Sequence, residues 1–387
     1  MRIVVVGAGI AGLGFAWWAR RSGFDVTLVD SARRFEARGH YVALKAAGVE
    51  VVREMGLEEA CRRRQASFDS THIMRADGRP LRTLATDESD ANLGGYILFR
   101  RSELHEALYD AVTTDTPVRF GTKLTSVEHE GDEVIAGLSD GSSIRADLIV
   151  GADGIHSDVR RLTFGEGFTH RLGGHYVGMT LDYKHGLATD ADDAYFGVGQ
   201  MAALMPTDAT RVSAILYIGD AFGQVPSGDE LIPFLRSVYA DFAQPVRDVL
   251  DRLTPESYLF SDDIAQVRMP HIVSNRVALI GDAAHSPTFM SGMGSALALQ
   301  DARCLAGSLA NKDVTVALAS YEGTMQPIAR EYATSARQLA PFVLHRSRFR
   351  AALRNTVTRF TPSGMLDQGI RNFYHAEEPA DLVPGDR

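Results

Sequence analysis

Two glycine-rich stretches, about 270 residues apart, hold the residues of this chain whose types and spacing could do chemistry. The first is Gly7-x-Gly9-x-x-Gly12, with Ile10 and Ala11 inside it and an acid, Asp30, 18 residues after its last glycine. In this spacing Gly7 permits a tight turn, Gly9 lets a pyrophosphate approach the backbone, and Gly12 lets a helix lie close to a strand. A helix starting there offers free N–H groups and partial positive charge to phosphates. An acid about 20 residues on accepts hydrogen bonds from an adenosine ribose and favours a free 2′-hydroxyl, hence NAD or FAD over NADP at this site. The second stretch is Gly281-Asp282-Ala283-Ala284-His285, followed by Pro287 and Gly292-Met293-Gly294. A carboxylate after a buried strand, with small neighbours, can accept hydrogen bonds from sugar-like hydroxyls. A helix starting near Ser295 would stabilise negative charge on a bound ring. Either stretch alone also reads as turn glycines and a capped loop. Together they suggest one long dinucleotide held at both ends, and FAD fits that best.

These residues need elements to place them. The apolar, β-branched run 3–6 predicts a buried parallel strand, 13–22 a helix ended by Gly23, and 26–29 a second buried strand closed by Asp30: a βαβ unit. Helices are expected over 45–55 and 102–113, with a strand-like section at 70–75 between them. Runs 124–129, 134–138 and 143–146 predict a β-meander, and 148–150 another buried strand leading into Gly151-Ala152-Asp153-Gly154. From 173 to 269 the pattern changes: strands over 176–183, 194–205 and 211–219, then a mostly helical stretch over 231–253. Run 277–280 returns to the buried-strand pattern, 295–310 to helix, and 316–373 reads as helix interrupted at Pro327, Pro341 and Pro362. The expected fold class is α/β: a Rossmann-like nucleotide domain with an inserted antiparallel-sheet domain and C-terminal helices. Its pieces are 1–70, 96–172 and 270–315 for the nucleotide domain, 71–95 and 173–269 for the inserted sheet, 316–375 for the helices, and 376–387 for an acidic tail.

Bulk composition narrows the partners. The chain has 387 residues, 45% of them hydrophobic and 23% charged, as in an ordinary globular protein of two packed domains. A net charge of −9 without a long basic stretch argues against nucleic acid, and no apolar run has the length of a membrane span. Cys61 and Cys304 have no CxxC partner, so neither a metal nor a redox pair is expected, and reduced thiols in the cytoplasm are. Monomer and homodimer both stay open.

The second stretch, the segment Gly151-Ala152-Asp153-Gly154…Ser157…Arg160, and Arg101-x-x-Leu104 resemble the internal signatures of single-component FAD-dependent aromatic hydroxylases, the para-hydroxybenzoate hydroxylase-like group. In length the chain is most similar to tetracycline-inactivating and antibiotic-tailoring monooxygenases of secondary metabolism. The resemblance implies that the first glycine loop, Asp30 and Ser31 hold the ADP half. It implies that Arg101 contacts pyrophosphate or ribityl, the Leu124 backbone adenine, and Asp282 the ribityl hydroxyls. Pro287 and the Gly292-Met293-Gly294 backbone would face the flavin. Asp153 would serve both FAD and a passing nicotinamide, with Arg160 supporting its loop. This chain departs from the family at three places: Met293 where Gln is usual, Ser31 where an Arg often follows the acid, and Ser295 where Asn is usual.

The chemistry implied is that NAD(P)H reduces FAD, O2 adds at flavin C4a, and the terminal oxygen of the hydroperoxide passes to an electron-rich aromatic or polyketide-like substrate. No side chain is assigned as an essential acid or base. His72, His285 and Tyr217 could tune a phenol, although such histidines are more often structural. His72, Met179, Phe196, Met201, Tyr217, Phe289 and Met290 are candidates for a roomy apolar substrate pocket under the inserted sheet. The alternatives are an FAD oxidase, reductase or epoxidase, and, from another class, a non-catalytic flavin or small-molecule binder. A halogenase lacks support, since Trp17 and Trp18 are the only tryptophans.

Overall fold

A computed structural model describes residues 1–37, 41–44, 46–63, 65, 68–85, 97–288, 291–310, 312–343 and 347–361. In chain order, β1 (Arg2–Val6), α1 (Ile10–Arg21) and β2 (Asp25–Val29) form the opening unit. There follow β3 (Tyr41–Leu44), α2 (Ala46–Glu54), α3 (Glu58–Arg62), β4 (Ser70–Arg75), β5 (Pro80–Ala85), β6 (Ile97–Arg100) and α4 (Arg101–Thr113). Next are β7 (Val118–Arg119), β8 (Leu124–Glu130), β9 (Glu133–Leu138), β10 (Ser143–Ala146), β11 (Leu148–Gly151) and α5 (Asp158–Phe164). Long strands come after these: β12 (Thr169–Asp182), β13 (Ala191–Phe196), β14 (Gln200–Asp208) and β15 (Arg211–Ile218). Helices α6 (Leu231–Val238) and α7 (Gln244–Asp251) precede β16 (Leu259–Val267), β17 (Val273–Ser274) and β18 (Val277–Leu279). The chain then continues through α8 (Asp282–His285), α9 (Gly294–Leu309), α10 (Val314–Val343) and α11 (Arg348–Phe360).

Strands buried on both faces pair in parallel, as their apolar runs require. β1 lies between β11 and β2, β18 joins beyond β11, and the order is β17-β18-β11-β1-β2-β7. α1 packs on this sheet and against α9. That approach depends on small residues: a Cβ on Gly14 would stand 3.3 Å from the Cβ of Ala302. The expected meander is present as β8-β9-β10. A second large sheet runs β16-β12-β15-β14-β13-β4-β5, antiparallel except where β13 meets β4. Its far face is sealed by α6 and α7, with Val177, Met179, Leu204, Leu216, Leu235 and Val249 in one buried cluster.

Several expected elements differ. The run 194–205 is two strands, because Gly197-Val198-Gly199 turns the chain and the Gly197 N–H donates to the Gln200 carbonyl at 2.9 Å. The run 231–253 is two helices, the second opened by Pro245 in its first turn. Neither Pro327 nor Pro341 interrupts α10, which is continuous over 30 residues. Packing outweighs the proline cost: Gln326 Nε2 donates to the Pro270 carbonyl at 2.7 Å, and Gln266 Nε2 reaches the Ala333 carbonyl at 2.8 Å. The expected break at Pro362 and the acidic tail lie outside the described residues.

Candidate cofactor and substrate site

β1, β2, β11 and β18 all end on one edge of the parallel sheet, and the loops leaving them bound a cavity of about 800 Å3. Open α/β sheets bind ligands at such carboxyl ends. The opposite wall is the second sheet.

At one end the first glycine loop divides its work as its spacing predicts. Gly7 has φ +104°, and a Cβ there would lie 2.4 Å from the Ala152 carbonyl oxygen of the neighbouring loop. A Cβ on Gly12 would lie 1.9 Å from the Gly7 carbonyl oxygen. A Cβ on Gly9 would meet nothing within 4 Å, because it projects into the cavity. Gly9 also caps α1 without any side-chain hydrogen bond, so the first N–H groups of the helix stay available to a ligand. Asp30 holds the loop from below, accepting from the Ala8 N–H at 2.7 Å through one oxygen and from the Ala32 N–H at 2.7 Å through the other.

Ile10, Ala11 and Asp30 line this end, as does Arg101 from the first turn of α4. One helical turn on, the His105 Nε2–H donates to the Ala8 carbonyl at 2.7 Å. Burial lowers the pKa of His105, more than the Ala8 carbonyl raises it, so it is a neutral donor. Sequence reading missed His105; its signal is the i+4 spacing from Arg101 on a helix beside the loop. Phe35 and Phe120 also reach the cavity, and Phe35 stacks on Tyr109 with centroids 3.7 Å apart. These rings form the apolar end. Leu124 is buried in β8 and Ser31 sits outside the wall.

The other motif closes the middle of the cavity. Gly281 has φ +59° and packs so tightly that a Cβ would meet the Cβ of Ala11 at 2.8 Å, which brings the two motifs together. Its N–H donates to Asp301 at 2.7 Å, and the same buried carboxylate accepts from His285 Nε2 at 3.0 Å and the Tyr321 hydroxyl at 3.0 Å. His285 is therefore a structural anchor facing away from Asp282's ligand side. Burial disfavours its charge, but Asp301 outweighs that and raises its pKa. Asp282, alone among the four residues of α8, is exposed, and its carboxylate opens into the cavity. Desolvation by the surrounding protein raises its pKa; Arg101 and the Ser286 hydroxyl pull it back. Gly292, Gly294, Ser295 and Pro287 line the wall nearby, at the N-terminus of α9, which also lacks a side-chain cap. Met293 turns away and is buried. Thr288, also on the wall, has φ +86°, which is strained for a β-branched residue.

Asp153 does not reach the cavity with its side chain. It accepts from the Ser157 hydroxyl at 2.5 Å and the Asp158 N–H at 2.7 Å and so caps α5; Ala152 and Gly154 provide the wall. Burial raises its pKa against these bonds. Arg160 is buried and ties two loops together, donating to the Ile155 carbonyl at 2.5 Å and the Ala283 carbonyl at 2.8 Å.

The sheet wall follows a period of two. Met201, Tyr217, Tyr176 and Asp262 stand side by side across β14, β15, β12 and β16, and all four line the cavity. Ile215 and Phe260 form the next row on that wall. Met201 and Tyr217 are thus where expected. Met179 is corrected: it points into the sealed face with α6 and α7. His72 is corrected as well, since it faces the same way as Asp193 and bonds to it at 2.9 Å. Phe196 shares the cavity-side parity but lies beyond the wall, beneath Arg354 of α11. Phe289 and Met290 lie outside the described residues. Tyr176, Phe260 and Asp262 were missed, because β16 has no clear alternation and the one-residue phase of β12 could not be set without its partners.

The donor set fits a dinucleotide with a charged middle: two uncapped helix N-termini, an open Gly9 cradle, Arg101, and a carboxylate opposite them. Comparisons with known proteins agree. A family model described as FAD binding domain matches residues 1–227 and 244–335. The chain is 26% identical over 332 residues to a flavin-dependent monooxygenase of Legionella longbeachae, covering 84% of this chain and 85% of that protein. It is 28% identical over 357 residues to an FAD-dependent urate hydroxylase of Klebsiella pneumoniae, covering 87% and 89%. Among solved structures, Klebsiella pneumoniae HpxO complexed with FAD and uric acid superposes with a TM-score of 0.85 at 24% identity, covering 97% of this chain and 96% of that one. Tetracycline destructase Tet(51) gives 0.80 at 23% identity, covering 98% and 99%.

Proposed function

The chain belongs to the FAD-binding-domain family and is an FAD-dependent monooxygenase, and from that premise we propose that it uses NAD(P)H and O2 to hydroxylate an aromatic or polyketide-like small molecule. One observation carries this reading: a single cavity runs from the Gly9 cradle, past Asp282, to a wall of tyrosine, phenylalanine and methionine on the antiparallel sheet. FAD, when bound, supplies the oxygen chemistry. The protein's own residues position and shield. The α1 N-terminus and Arg101 receive the phosphates, and Asp282 accepts hydroxyl hydrogen bonds. The α9 N-terminus, with its free N–H groups, favours negative charge on whatever ring lies against Gly292 and Gly294. Tyr176, Tyr217, Met201 and Phe260 exclude water and hold the substrate against that ring.

No side chain on the wall is required as a catalytic acid or base in this reading. Tyr176 stays neutral, because burial raises its pKa and the Asp262 and Asp282 carboxylates add to that. We place the enzyme in the cytoplasm, where its two buried free cysteines would stay reduced. Among the described residues, no helix is long and apolar enough to cross a membrane. The experiment is a substrate screen under 18O2, scored by NAD(P)H oxidation and product mass. One labelled oxygen in the product is expected. A turned-over but unlabelled product would replace hydroxylation with an oxidase or reductase reaction.

A further inference from the structure

We infer that the substrate carries a cationic or hydrogen-bond-donating nitrogen that seats on Asp262, and that a carboxylate in this place is rejected; the inference rests on the proposed reading of the sheet wall as the substrate side. The cations on the described cavity wall are Arg34 and Arg101, at the glycine-loop end, where Arg34 is paired with Glu36. The sheet supplies no cation to the described wall; it supplies Met201, Tyr217, Tyr176, Ile215 and Phe260, and two acids, Asp262 and Asp263.

Asp262 is largely covered, with its side chain 17% exposed. One oxygen accepts the Asp263 N–H at 2.8 Å. The remaining partner is His156 Nε2, at 3.2 Å from the other oxygen, on a ring that is 75% exposed. The adjacent Asp263 is differently placed: Arg171 Nε lies 2.8 Å from it and His175 Nδ1 3.1 Å, so its charge is answered within the sheet. Arg354, a buried cation of α11, is committed elsewhere. It sits over the Phe196 ring and donates to the Gly197 carbonyl at 3.3 Å.

An anionic group brought to this wall would therefore face Asp262, with Asp282 further in. The opposing Arg101 stands where the phosphates are received. Such a group loses its hydration without gaining a cationic partner from the sheet among the described residues, which is strongly unfavourable. An ammonium or an N–H finds the reverse: a carboxylate whose acceptor capacity is not filled among the described residues, beside Tyr176 on the neighbouring strand.

Three probes of one skeleton test this on the FAD-loaded enzyme without NAD(P)H: tyramine, 4-ethylphenol and 3-(4-hydroxyphenyl)propionate, titrated by flavin absorbance. Tyramine is expected to bind about tenfold or more tightly than the propionate, the scale of one charge-assisted hydrogen bond. Asp262→Asn should keep its FAD and bring the two within about threefold, because the charge is removed and the shape kept. Equal or tighter binding of the propionate, an amine preference that survives in Asp262→Asn, or no flavin response to any probe would each overturn the inference. Binding needs no turnover, so an amine preference without oxygen incorporation would sink the proposed hydroxylation and leave this assignment standing.

Discussion

Gly9 and Gly12 are the same residue type three positions apart, yet the structure gives them opposite reasons to be glycine. Gly12 is needed by the protein itself, since a Cβ there would sit 1.9 Å from the Gly7 carbonyl oxygen. Gly9 is not needed by the protein's own packing, since a Cβ there meets nothing within 4 Å; on the proposed function it is needed by what binds in the cavity it lines. Gly12→Ala should therefore cost about 2–3 kcal/mol or prevent folding, as overpacking against backbone does. Gly9→Ala should unfold at the same temperature as the wild type when both are stripped of FAD, yet retain little FAD. Thermal unfolding of apo- and holoprotein checks both; an apo Gly9→Ala as unstable as Gly12→Ala would contradict the division. Asp282→Ala should weaken FAD by about ten- to a hundredfold, the loss of a charged hydrogen-bond acceptor. A variant that purifies fully yellow with unchanged affinity would remove Asp282 from the cofactor site. The glycines were legible because their spacing encodes backbone sterics, which need no partner to interpret. The role of Asp153 came from the family resemblance alone; a carboxylate can serve a helix end as well as a ligand, and here it accepts the Asp158 and Val159 N–H groups at the start of α5.

At the scale of elements, α8 is only four residues long and cannot hold Asp282 by itself. It is clamped from two sides: Arg160 of α5 donates to the Ala283 carbonyl, and Asp301 of α9 receives Gly281, His285 and Tyr321 together. The clamp has a pH signature. His285 has its pKa raised in the folded chain above its unfolded value near 6.5. Its ion pair with Asp301 therefore contributes fully below about pH 6.5, and that contribution is lost as pH rises through the folded value. His285→Gln should lower the melting temperature most at pH 5.5 and progressively less toward pH 9. A deficit that grows with pH would reverse the protonation assigned to the pair. Elements of this kind were read well where local pattern decides, as in the β1-α1-β2 unit and the meander β8-β9-β10. They were read badly where a few residues or distant packing decide. The turn at Gly197–Gly199 was passed over inside an apolar run. The prolines in α10 were taken as stops although contacts from Gln326 and Gln266 hold that helix together.

The two largest sheets face each other across the cavity, and the second of them must do two incompatible things. Its far face has to be a packed core with α6 and α7, while its near face has to leave room for a ligand. Strand alternation satisfies both, with neighbours in sequence assigned to different duties. From sequence alone three strands of the cavity-facing sheet could be named but not β16, nor the phase of any of them, because a shift of one residue exchanges the faces. Met179 and Met201 show the consequence. Both were expected in the pocket; Met179 is 3% exposed in the helix-covered core, and Met201 stands on the cavity wall beside Tyr217. Met179→Ala removes packed volume, so it should destabilise the protein by about 2–5 kcal/mol and leave the ranking of substrates or probe ligands unchanged. Met201→Ala enlarges a space that is already open, so its stability cost should be well under that, about 1 kcal/mol, while larger ring systems gain relative to smaller ones. Denaturant unfolding together with flavin-monitored titration of a one-, two- and three-ring phenol series separates the two. If Met179→Ala changes ring-size preference and Met201→Ala does not, the sheet's phase is inverted, and with it the placement of Tyr176 and Asp262 on the substrate side.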